Sequence, residues 1–302
     1  MAMEAIRTER LSKRYGGRRG LDGLDLEVRT GEVFGHLGPN GAGKTTTIRL
    51  LLDLIRPTAG SARVLGVDPR AGGVSLRRRM GYLPGDFVVD GRQTGRELLT
   101  FLGNLRGGVP RRRIESLAAS LDLDLDVRIG RLSRGNRQKV GLVQAFMHSP
   151  ELLVLDEPSS GLDPLVQQRF LSLVREARAA GQTVFMSSHV LSEVQQSADR
   201  VGIIRDGRLV AVEAVERLRE RAPRRVEIVF VAPVPSSAFA DLPNVRAAEV
   251  EGTVLRCLLV GPADPLVKAA ARFTTLGLTA GEPDLEELFL TYYDREEGGH
   301  AA

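Results

Sequence analysis

The chain has 302 residues, of which 42% are hydrophobic and 26% are charged, enough to bury a large core in one or two domains. Its formal net charge of +4 permits a nucleic-acid partner without requiring one, and a single cysteine, Cys257, excludes an internal disulfide. No apolar run reaches the roughly 18 residues of a membrane span and the start resembles no secretory signal, so we expect a cytoplasmic protein that reaches a membrane only through a partner.

The first half of the chain predicts an α/β core. Residues 31–38 form a short apolar run that ends in glycine, and residues 44–55 place apolar side chains on one stripe of a helix. From about residue 86 to 150 the segments become mostly helical and are broken by glycine and proline. We interpret this part as a helical insertion within a core that has a largely parallel sheet.

The next segments return to the strand and helix alternation. "ELLVLDEP" is a buried strand that carries two acids to its end, and "QTVFMSSH" is a second strand that ends in polar residues. Asp206-Gly207 between two apolar runs predicts a two-residue hairpin. The ranges of these predictions are 151–158 for the first strand, 163–181 for a helix with an Asp N-cap followed by Pro, 182–189 for the second strand and 201–213 for the hairpin.

The composition changes again after residues 219–225. Strand-like and helix-like segments follow, and "PDLEELFLTYY" at 283–293 predicts a further helix before a frayed end. We therefore predict two domains, 1–222 and a small α+β accessory domain at 223–302.

The segment "GPNGAGKTT" at 38–46 carries the strongest chemical signal. It fits the pattern G-x-x-x-x-G-K-[ST], with a strand before it and a helix after it. Glycines let backbone N–H groups point at a phosphate, the helix presents its positive end, and Lys44 reaches the outer phosphates. Thr45 supplies a hydroxyl to Mg²⁺.

Two strand ends supply the other candidate catalytic groups. Asp156 follows four apolar residues and suits a Mg²⁺ ligand, while Glu157 beside it is placed to polarise the attacking water. His189 ends a further apolar strand, and we interpret it as a contact to the γ-phosphate.

The order "GPNGAGKTT", "LSRGN", "LLVLDEP", "SSGLD" and "SSHVLSEV" resembles the ATP-binding subunit of an ABC transporter over about residues 4–220. The resemblance implies a P-loop NTPase (RecA-like) core with an antiparallel β subdomain and a helical insertion. It implies that Asp156 is the Walker B aspartate, Glu157 the catalytic glutamate and His189 the switch histidine. Asp163 matches the loop that communicates between two ATP sites. The residues that it assigns to ATP binding are Tyr15 (adenine stacking), Gly38, Pro39, Asn40, Gly41, Ala42, Gly43, Lys44, Thr45, Thr46, Ser133, Gly135 and Asn136.

Two motifs depart from the common pattern of this family. Gly85 stands where the family usually has a Gln that contacts Mg²⁺ and senses the membrane partner, and Asp86 or water could substitute. The signature, usually L-S-G-G-Q, contains Arg134 in place of Gly and Asn136 in place of Gln. With the small C-terminal domain, both variants resemble the ABC-2-type multidrug and antibiotic exporters.

The resemblance implies an ATPase that uses ATP and Mg²⁺ to move a drug, antibiotic or lipid-like molecule outward. One chain has one Walker set and one signature, so a second copy or a homologous ATPase subunit must complete each site. The membrane-spanning part must be a separate ABC-2-type subunit, which would hold this chain at the cytoplasmic face of the cell membrane.

Two other functions remain open at the level of sequence. An importer ATPase is one. A non-transport ABC ATPase that acts on nucleic acid or ribosomes is the other, and the arginine runs 77–79 and 111–113 could grip a phosphate backbone. We favour solvated helix faces for both runs and expect no nucleic-acid partner.

Overall fold

The computed structural model describes residues 4–281, and the chain divides into two compact units between Val212 and Glu213. The division lies before the predicted boundary at residue 223. The predicted helix at 283–293 and the predicted frayed end lie outside the described residues. Within residues 4–281, no helix combines the length and the apolar character that crossing a membrane requires.

The first unit contains two sheets and a set of helices. Its elements in chain order are β1 (Glu4–Tyr15), β2 (Arg18–Arg29), β3 (Val33–Leu37), α1 (Lys44–Leu51), β4 (Ala59–Val64), α2 (Pro69–Arg78), β5 (Met80–Leu83), α3 (Gly95–Leu105), α4 (Arg111–Ser120), α5 (Arg134–Phe146), β6 (Leu152–Asp156), α6 (Pro164–Ala179), β7 (Thr183–Ser188), α7 (Leu191–Ser197), β8 (Arg200–Arg205) and β9 (Arg208–Ala214).

The central sheet has six strands in the order β5-β6-β7-β3-β8-β9. The pairs from β5 through β8 are parallel, and every residue of β3, β6 and β7 is buried, as expected for strands covered on both faces. Because β6, β7 and β3 are neighbours, the segments that follow their carboxyl ends meet at one edge of the sheet. That edge therefore receives the phosphate loop, the acid pair and His189.

The second sheet of this unit is antiparallel, in the order β2-β1-β4. One apolar cluster joins its buried side chains, such as Ile6 and Leu24, to Phe34 of β3 and Ile48 of α1. The sheet therefore packs beside α1, and Tyr15 is the last residue of its strand β1. The predicted P-loop core with an antiparallel β subdomain is confirmed.

The predicted insertion is helical. Helices α3, α4 and α5 lie between β5 and β6, and an isolated β-bridge joins Thr94 to Arg128 within this part. Thr94 and Glu97 form a reciprocal capping box at the start of α3, which satisfies donors that the helix itself leaves free. Ser133 caps α5 in a similar manner with its hydroxyl.

The first helix is shorter than its apolar pattern predicted. Helix α1 ends at Leu51, whereas the pattern extended to residue 55. Asp53 adopts a left-handed backbone with φ 57°, which a continuing helix cannot accommodate. The stripe is nevertheless real, because Leu52 is buried and Ile55 packs against the core cluster.

The predicted hairpin is present between β8 and β9. Asp206 and Gly207 have φ values of 49° and 79°, and a type I′ turn requires positive φ at both of its central residues. Asp163 accepts a hydrogen bond from the Val166 N–H at 3.0 Å and so caps α6, as the sequence predicted.

The second unit is an α+β structure with its own apolar cluster, which includes Phe230, Phe239 and Leu255. Its four-stranded antiparallel sheet has the order β11-β12-β10-β13. Cys257 is buried in this cluster. The elements are α8 (Val215–Arg221), β10 (Arg224–Phe230), β11 (Val245–Glu251), β12 (Val254–Leu259), α9 (Asp264–Ala270) and β13 (Thr275–Ala280).

Candidate nucleotide-binding site

The loop between β3 and α1 leads the backbone directly into a helix start. Gly43 precedes α1 with φ 113°, and a Cβ at this position would lie 2.9 Å from the Gly20 carbonyl oxygen. No side chain caps α1, so its first N–H groups keep no partner from a capping residue. Such an end attracts anions, because the free N–H groups and the helix dipole act together.

A cavity of about 410 Å³ lies at this helix start, within the range of small-molecule sites. It brings together most of the predicted phosphate loop, the predicted adenine-stacking residue and one predicted catalytic acid. The lining residues are Tyr15, Gly20, Pro39, Asn40, Gly41, Gly43, Lys44, Thr45, Thr46 and Glu157. Gly38 and Ala42, the other predicted loop residues, are buried.

Lys44 is the buried cation of this cavity. Its ammonium group donates to the carbonyl oxygens of Gly38 at 2.6 Å and Pro39 at 3.2 Å. It also forms an ion pair with Glu157, with 3.1 Å between Nζ and Oε1. An ammonium has three donors, so these contacts use the whole capacity of the group.

Glu157 connects Lys44 to His189. The second carboxylate oxygen, Oε2, lies 2.6 Å from His189 Nδ1. The backbone of Glu157 has φ 49°, a left-handed conformation that costs about 1–3 kcal/mol in a non-glycine residue and is typical of functional sites. His189 itself does not line the cavity and is about half exposed.

Asp156 lies behind this network and is 2% exposed. Its Oδ1 accepts a hydrogen bond from the Ser187 hydroxyl at 2.6 Å, and the same hydroxyl accepts from the Glu157 N–H at 3.0 Å. Sequence reasoning missed Ser187. Its only signal was its place in "SSH", on the strand β7 that pairs with β6, where Asp156 and Ser187 are register partners.

Gln138 was also missed. This buried residue of α5 donates through Nε2 to the Pro158 carbonyl at 3.2 Å. A second contact, to the Glu157 carbonyl, measures 3.5 Å. Helix α5 therefore supports the backbone that carries the acid pair, a role that no local sequence pattern indicates.

The residues that could hold Mg²⁺ fit its preferences. Magnesium usually takes one or two carboxylates, hydroxyls and substrate phosphates rather than a dedicated cage of protein ligands. Asp156 supplies one carboxylate with Oδ2 not engaged by Ser187, and Thr45 lines the phosphate cavity. Residues 4–281 contain no cluster of three or more His, Cys, Asp or Glu side chains that could form such a cage.

Gly85 lies next to Asp156. A Cβ built on Gly85 would be 3.5 Å from the Asp156 carboxylate carbon, which is ordinary van der Waals contact. Position 85 is therefore close to the candidate metal ligand even though glycine offers no atom to it. Asp86 is exposed and does not line the cavity. The structure therefore does not place Asp86 where it could replace the Gln that the family usually has at position 85.

The signature residues lie away from this cavity, and none of them lines it. Ser133 caps α5 by accepting from the Asn136 N–H at 3.2 Å. Gly135 packs so closely on the next motif that a Cβ would lie 2.5 Å from the Gly161 carbonyl oxygen. Arg134 is exposed and reaches the Ser160 hydroxyl at 3.5 Å, so it contacts its own chain.

Tyr15 lines the cavity at the end of β1 and is 46% exposed. Gly20 makes room for its ring, because a Cβ there would lie 2.7 Å from Tyr15 Cε2. Lys13 Nζ lies 5.3 Å from the ring centroid, within the range of a cation–π contact. A half-exposed ring in this position can accept a planar partner.

His36 is buried in β3, just before the phosphate loop, and neither ring nitrogen has a hydrogen-bond partner among the described residues. Burial and the nearby charge of Lys44 lower the pKa of His36 to about 3. The ring is therefore neutral near pH 7 and packs against Phe185, with 5.4 Å between ring centroids.

Comparison with known proteins identifies the family. The family model "ABC transporter" matches residues 21–160. The bacitracin transport ATP-binding protein of Bacillus licheniformis is 36% identical over 228 residues, 74% of each chain. The Nod factor export ATP-binding protein I of Burkholderia orbicola is 32% identical over 98% of this chain and 99% of its own. The daunorubicin/doxorubicin resistance ATP-binding protein of Streptomyces peucetius is 38% identical over 83% of this chain and 77% of its own.

Solved structures agree with this result. An ATP-binding subunit of an ABC transporter has 29% identity and a TM-score of 0.65, covering 71% of this chain and 92% of its own. A dimeric bacterial ABC transporter cassette, at 21% identity, supports the fold alone, with a TM-score of 0.63 over 70% of this chain and 98% of its own. The predicted resemblance is confirmed: the chain belongs to the ABC transporter family, as one of its ATP-binding subunits with ATPase activity.

Proposed function

We propose that this subunit powers an exporter, with ATP bound in the cavity at the start of α1. The observation that carries the site assignment is the position of Glu157 at the cavity edge, between Lys44 Nζ at 3.1 Å and His189 Nδ1 at 2.6 Å. A carboxylate held in this way can accept a proton from a water that attacks the γ-phosphate.

In this proposal Lys44 binds the phosphates and Glu157 accepts the proton of the attacking water. Phosphate oxygens that engage Lys44 take the place of its ion pair with Glu157, which leaves Glu157 Oε1 available to the attacking water. His189 holds the other carboxylate oxygen and so orients the base. The free N–H groups of α1 receive phosphate charge.

Tyr15 stacks on the adenine in this proposal, and Thr45 with Asp156 holds Mg²⁺. Bound Mg²⁺ neutralises charge on the phosphates. The Ser187 hydroxyl positions the Asp156 carboxylate from behind, through the bond at 2.6 Å. Gly85 offers no side chain beside Asp156, so in this proposal a water takes the place of one.

The complete ATP site is formed by two subunits. The signature residues Ser133, Gly135 and Asn136 do not line the cavity of their own chain, and they serve the ATP held by a second copy or a homologous ATPase subunit. Asp163 lies at the start of α6 and carries communication between the sites. Closing on ATP and opening after hydrolysis supply two states that can drive a partner.

The transport step requires a separate membrane subunit, which we assign to the ABC-2 type. Relatives named for bacitracin transport, daunorubicin/doxorubicin resistance and Nod factor export support export of a drug, antibiotic or lipid-like molecule. The subunit would act at the cytoplasmic face of the cell membrane, held there by this partner, with no nucleic acid involved.

The decisive test is Glu157→Gln in the full chain. General-base catalysis contributes about 10²–10⁴-fold, so kcat for ATP hydrolysis should fall at least about a hundredfold while nucleotide binding persists. Light scattering with ATP and Mg²⁺ should then detect a stable dimer. Glu176→Gln, which changes an exposed carboxylate on α6, is the matched control and should behave as the wild type. Sustained hydrolysis in Glu157→Gln contradicts the assignment of the base.

A further inference from the structure

The fold brings together the two arginine runs that ATP chemistry does not use. Arg78 at the end of α2 and Arg112 and Arg113 at the start of α4 line one cleft of about 410 Å³. Arg106, at the end of α3, lines it as well. This cleft belongs to the first unit and shares no lining residue with the nucleotide cavity. We call it the arginine cleft.

The arginines inside the cleft differ from those outside it in whether they form ion pairs with carboxylates. Outside the cleft, Arg77 pairs with Asp53 at 3.5 Å, Arg79 with Glu151 at 2.6 Å and Arg111 with Glu115 at 2.9 Å. Inside it, by contrast, none of the arginines pairs with a carboxylate among residues 4–281, and no lining residue is acidic. The cationic members without such a pair are Arg78, Arg106, Arg112 and Arg113.

Arg106 and His148 both line the cleft and contact each other. Arg106 Nη1 donates to the Met80 carbonyl at 3.0 Å and to the Arg77 carbonyl at 3.3 Å, which holds the guanidinium in place without neutralising it. His148 Nε2 lies 2.8 Å from the same Nη1. Its other nitrogen, Nδ1, is buried and has no hydrogen-bond partner among the described residues.

A cleft of this kind carries uncompensated positive charge. Like charges held close together repel one another unless a counter-charge is present. Asp53, Glu151 and Glu115 pair with the neighbouring arginines, whereas no carboxylate lines the cleft. Four guanidinium groups in one concave site match the planar, multidentate recognition of phosphate oxygens.

We propose that the arginine cleft is a second anion site, which binds a ligand bearing phosphate groups independently of the ATP cavity. The same chemistry is offered by a soluble polyphosphate and by the phosphate headgroup of a membrane lipid. A soluble ligand would make the cleft a regulatory site, whereas a lipid would tie this face of the subunit to the bilayer surface.

The experiment compares two double variants of the full chain. Arg78→Ala/Arg112→Ala removes two cleft arginines, and Arg77→Ala/Arg111→Ala removes two charges from adjacent positions of the same helices outside the cleft. All four side chains are exposed, so both variants should fold, which circular dichroism verifies. The ATP cavity is first saturated with a non-hydrolysable ATP analogue so that it binds no probe.

Two probes distinguish the source of the phosphate. Calorimetry measures inorganic tripolyphosphate binding, and flotation measures binding to phosphatidylcholine vesicles with and without phosphatidylglycerol. For the wild type and the Arg77/Arg111 control we expect binding to at least one anionic probe. The Arg78/Arg112 variant should lose about tenfold or more in affinity, since charge-assisted hydrogen bonds are worth about 1.5–3 kcal/mol each.

If the Arg78/Arg112 variant loses tripolyphosphate binding and the Arg77/Arg111 control keeps it, the result supports a soluble ligand. If the Arg78/Arg112 variant instead loses binding to phosphatidylglycerol vesicles and the control keeps it, the result supports a lipid headgroup. Equal losses in both double variants mean that bulk charge alone attracts the probe, and this overturns the proposal. Absence of binding of either probe to the wild type overturns it as well.

Discussion

Helices α1 and α5 both begin at a motif that sequence patterns link to phosphate, yet their N-termini differ. Helix α1 follows Gly43, which has no side chain to cap it, and opens onto the cavity of about 410 Å³. Helix α5 follows Ser133, whose hydroxyl already accepts from the Asn136 N–H at 3.2 Å. Within one chain the start of α1 is therefore open to an anion, whereas the start of α5 is satisfied in part by its own chain.

The surroundings reinforce the difference. Lys44 supplies a buried positive charge at α1, with Glu157 as its counter-ion. At α5 the exposed Arg134 contacts Ser160, and Gly135 packs against the Gly161 carbonyl. In the proposed function a phosphate binds at α1 by replacing one ion pair, whereas binding at α5 depends on what a second subunit presents.

The largest expected effect comes from Lys44→Ala. Removing the buried ammonium deletes charge-assisted contacts to phosphate, so affinity for a fluorescent ATP analogue should fall about a hundredfold. Lys268→Ala, which removes an exposed lysine paired with Asp264 in the second unit, should leave affinity unchanged. If Lys44→Ala kept wild-type affinity, the assignment of the α1 N-terminus as the phosphate site would be wrong.

Lowering the pH should lower the free energy of unfolding through His36 of β3. The pKa of His36 is about 3 because of burial and Lys44, against about 6.5 when unfolded. Between these pH values His36 binds a proton in the unfolded chain but not in the folded protein. The contribution of neutral His36 to the free energy of unfolding is therefore complete above pH 6.5 and falls by about 1.4 kcal/mol per pH unit as the pH decreases toward 3.

Denaturant unfolding at about pH 6.5 and about pH 5 tests this effect with His36→Leu. The wild type should lose about 2 kcal/mol more than the variant over this interval, because leucine cannot titrate. His148, with a pKa of about 4 through burial and Arg106, is present in both proteins, so the difference isolates His36. Parallel pH profiles would contradict the assigned cause.

Gly135→Ala should lower the free energy of unfolding and leave nucleotide affinity at α1 unchanged. The added Cβ would meet the Gly161 carbonyl at 2.5 Å, and the overpacking should cost about 1–2 kcal/mol after the gain in helix propensity. ATP-analogue affinity at α1 should stay at the wild-type value. Gly277→Ala, where nothing lies within 4 Å of the new Cβ, is the matched control. A variant as stable as this control would disprove the tight contact.

Ser133→Ala should have the smallest effect. Losing the N-cap costs about 1 kcal/mol in the free energy of unfolding, measured by thermal or urea denaturation. Ser133→Asp restores the cap acceptor and should recover most of the stability, but its negative charge should suppress ATP-driven dimerisation in the Glu157→Gln background. Normal dimerisation with Asp at this position would exclude a phosphate at α5.

Sequence patterns predicted the parallel core, the hairpin at Asp206-Gly207 and the N-cap at Asp163 well, because each depends on neighbours along the chain. They placed the end of α1 too late, since Asp53 turns the backbone where apolar periodicity continues. They also missed Ser187 and Gln138, whose partners Asp156 and Pro158 are distant in sequence. A hydroxyl or amide in a buried element carries no local sign of the atom it will contact.

The sequence by itself determined that the chain binds phosphate and has an acid pair and a histidine at strand ends, because these are properties of motifs with strict spacing. Only the tertiary structure decided which groups meet. The strand order β6-β7-β3 brings Glu157, Lys44 and His189 into one network and leaves the signature motif outside it. The packing of α2, α3 and α4 likewise turns two separate arginine runs into one cleft. Contacts between distant segments depend on how the sheet and helices pack, and no single stretch of residues specifies that arrangement.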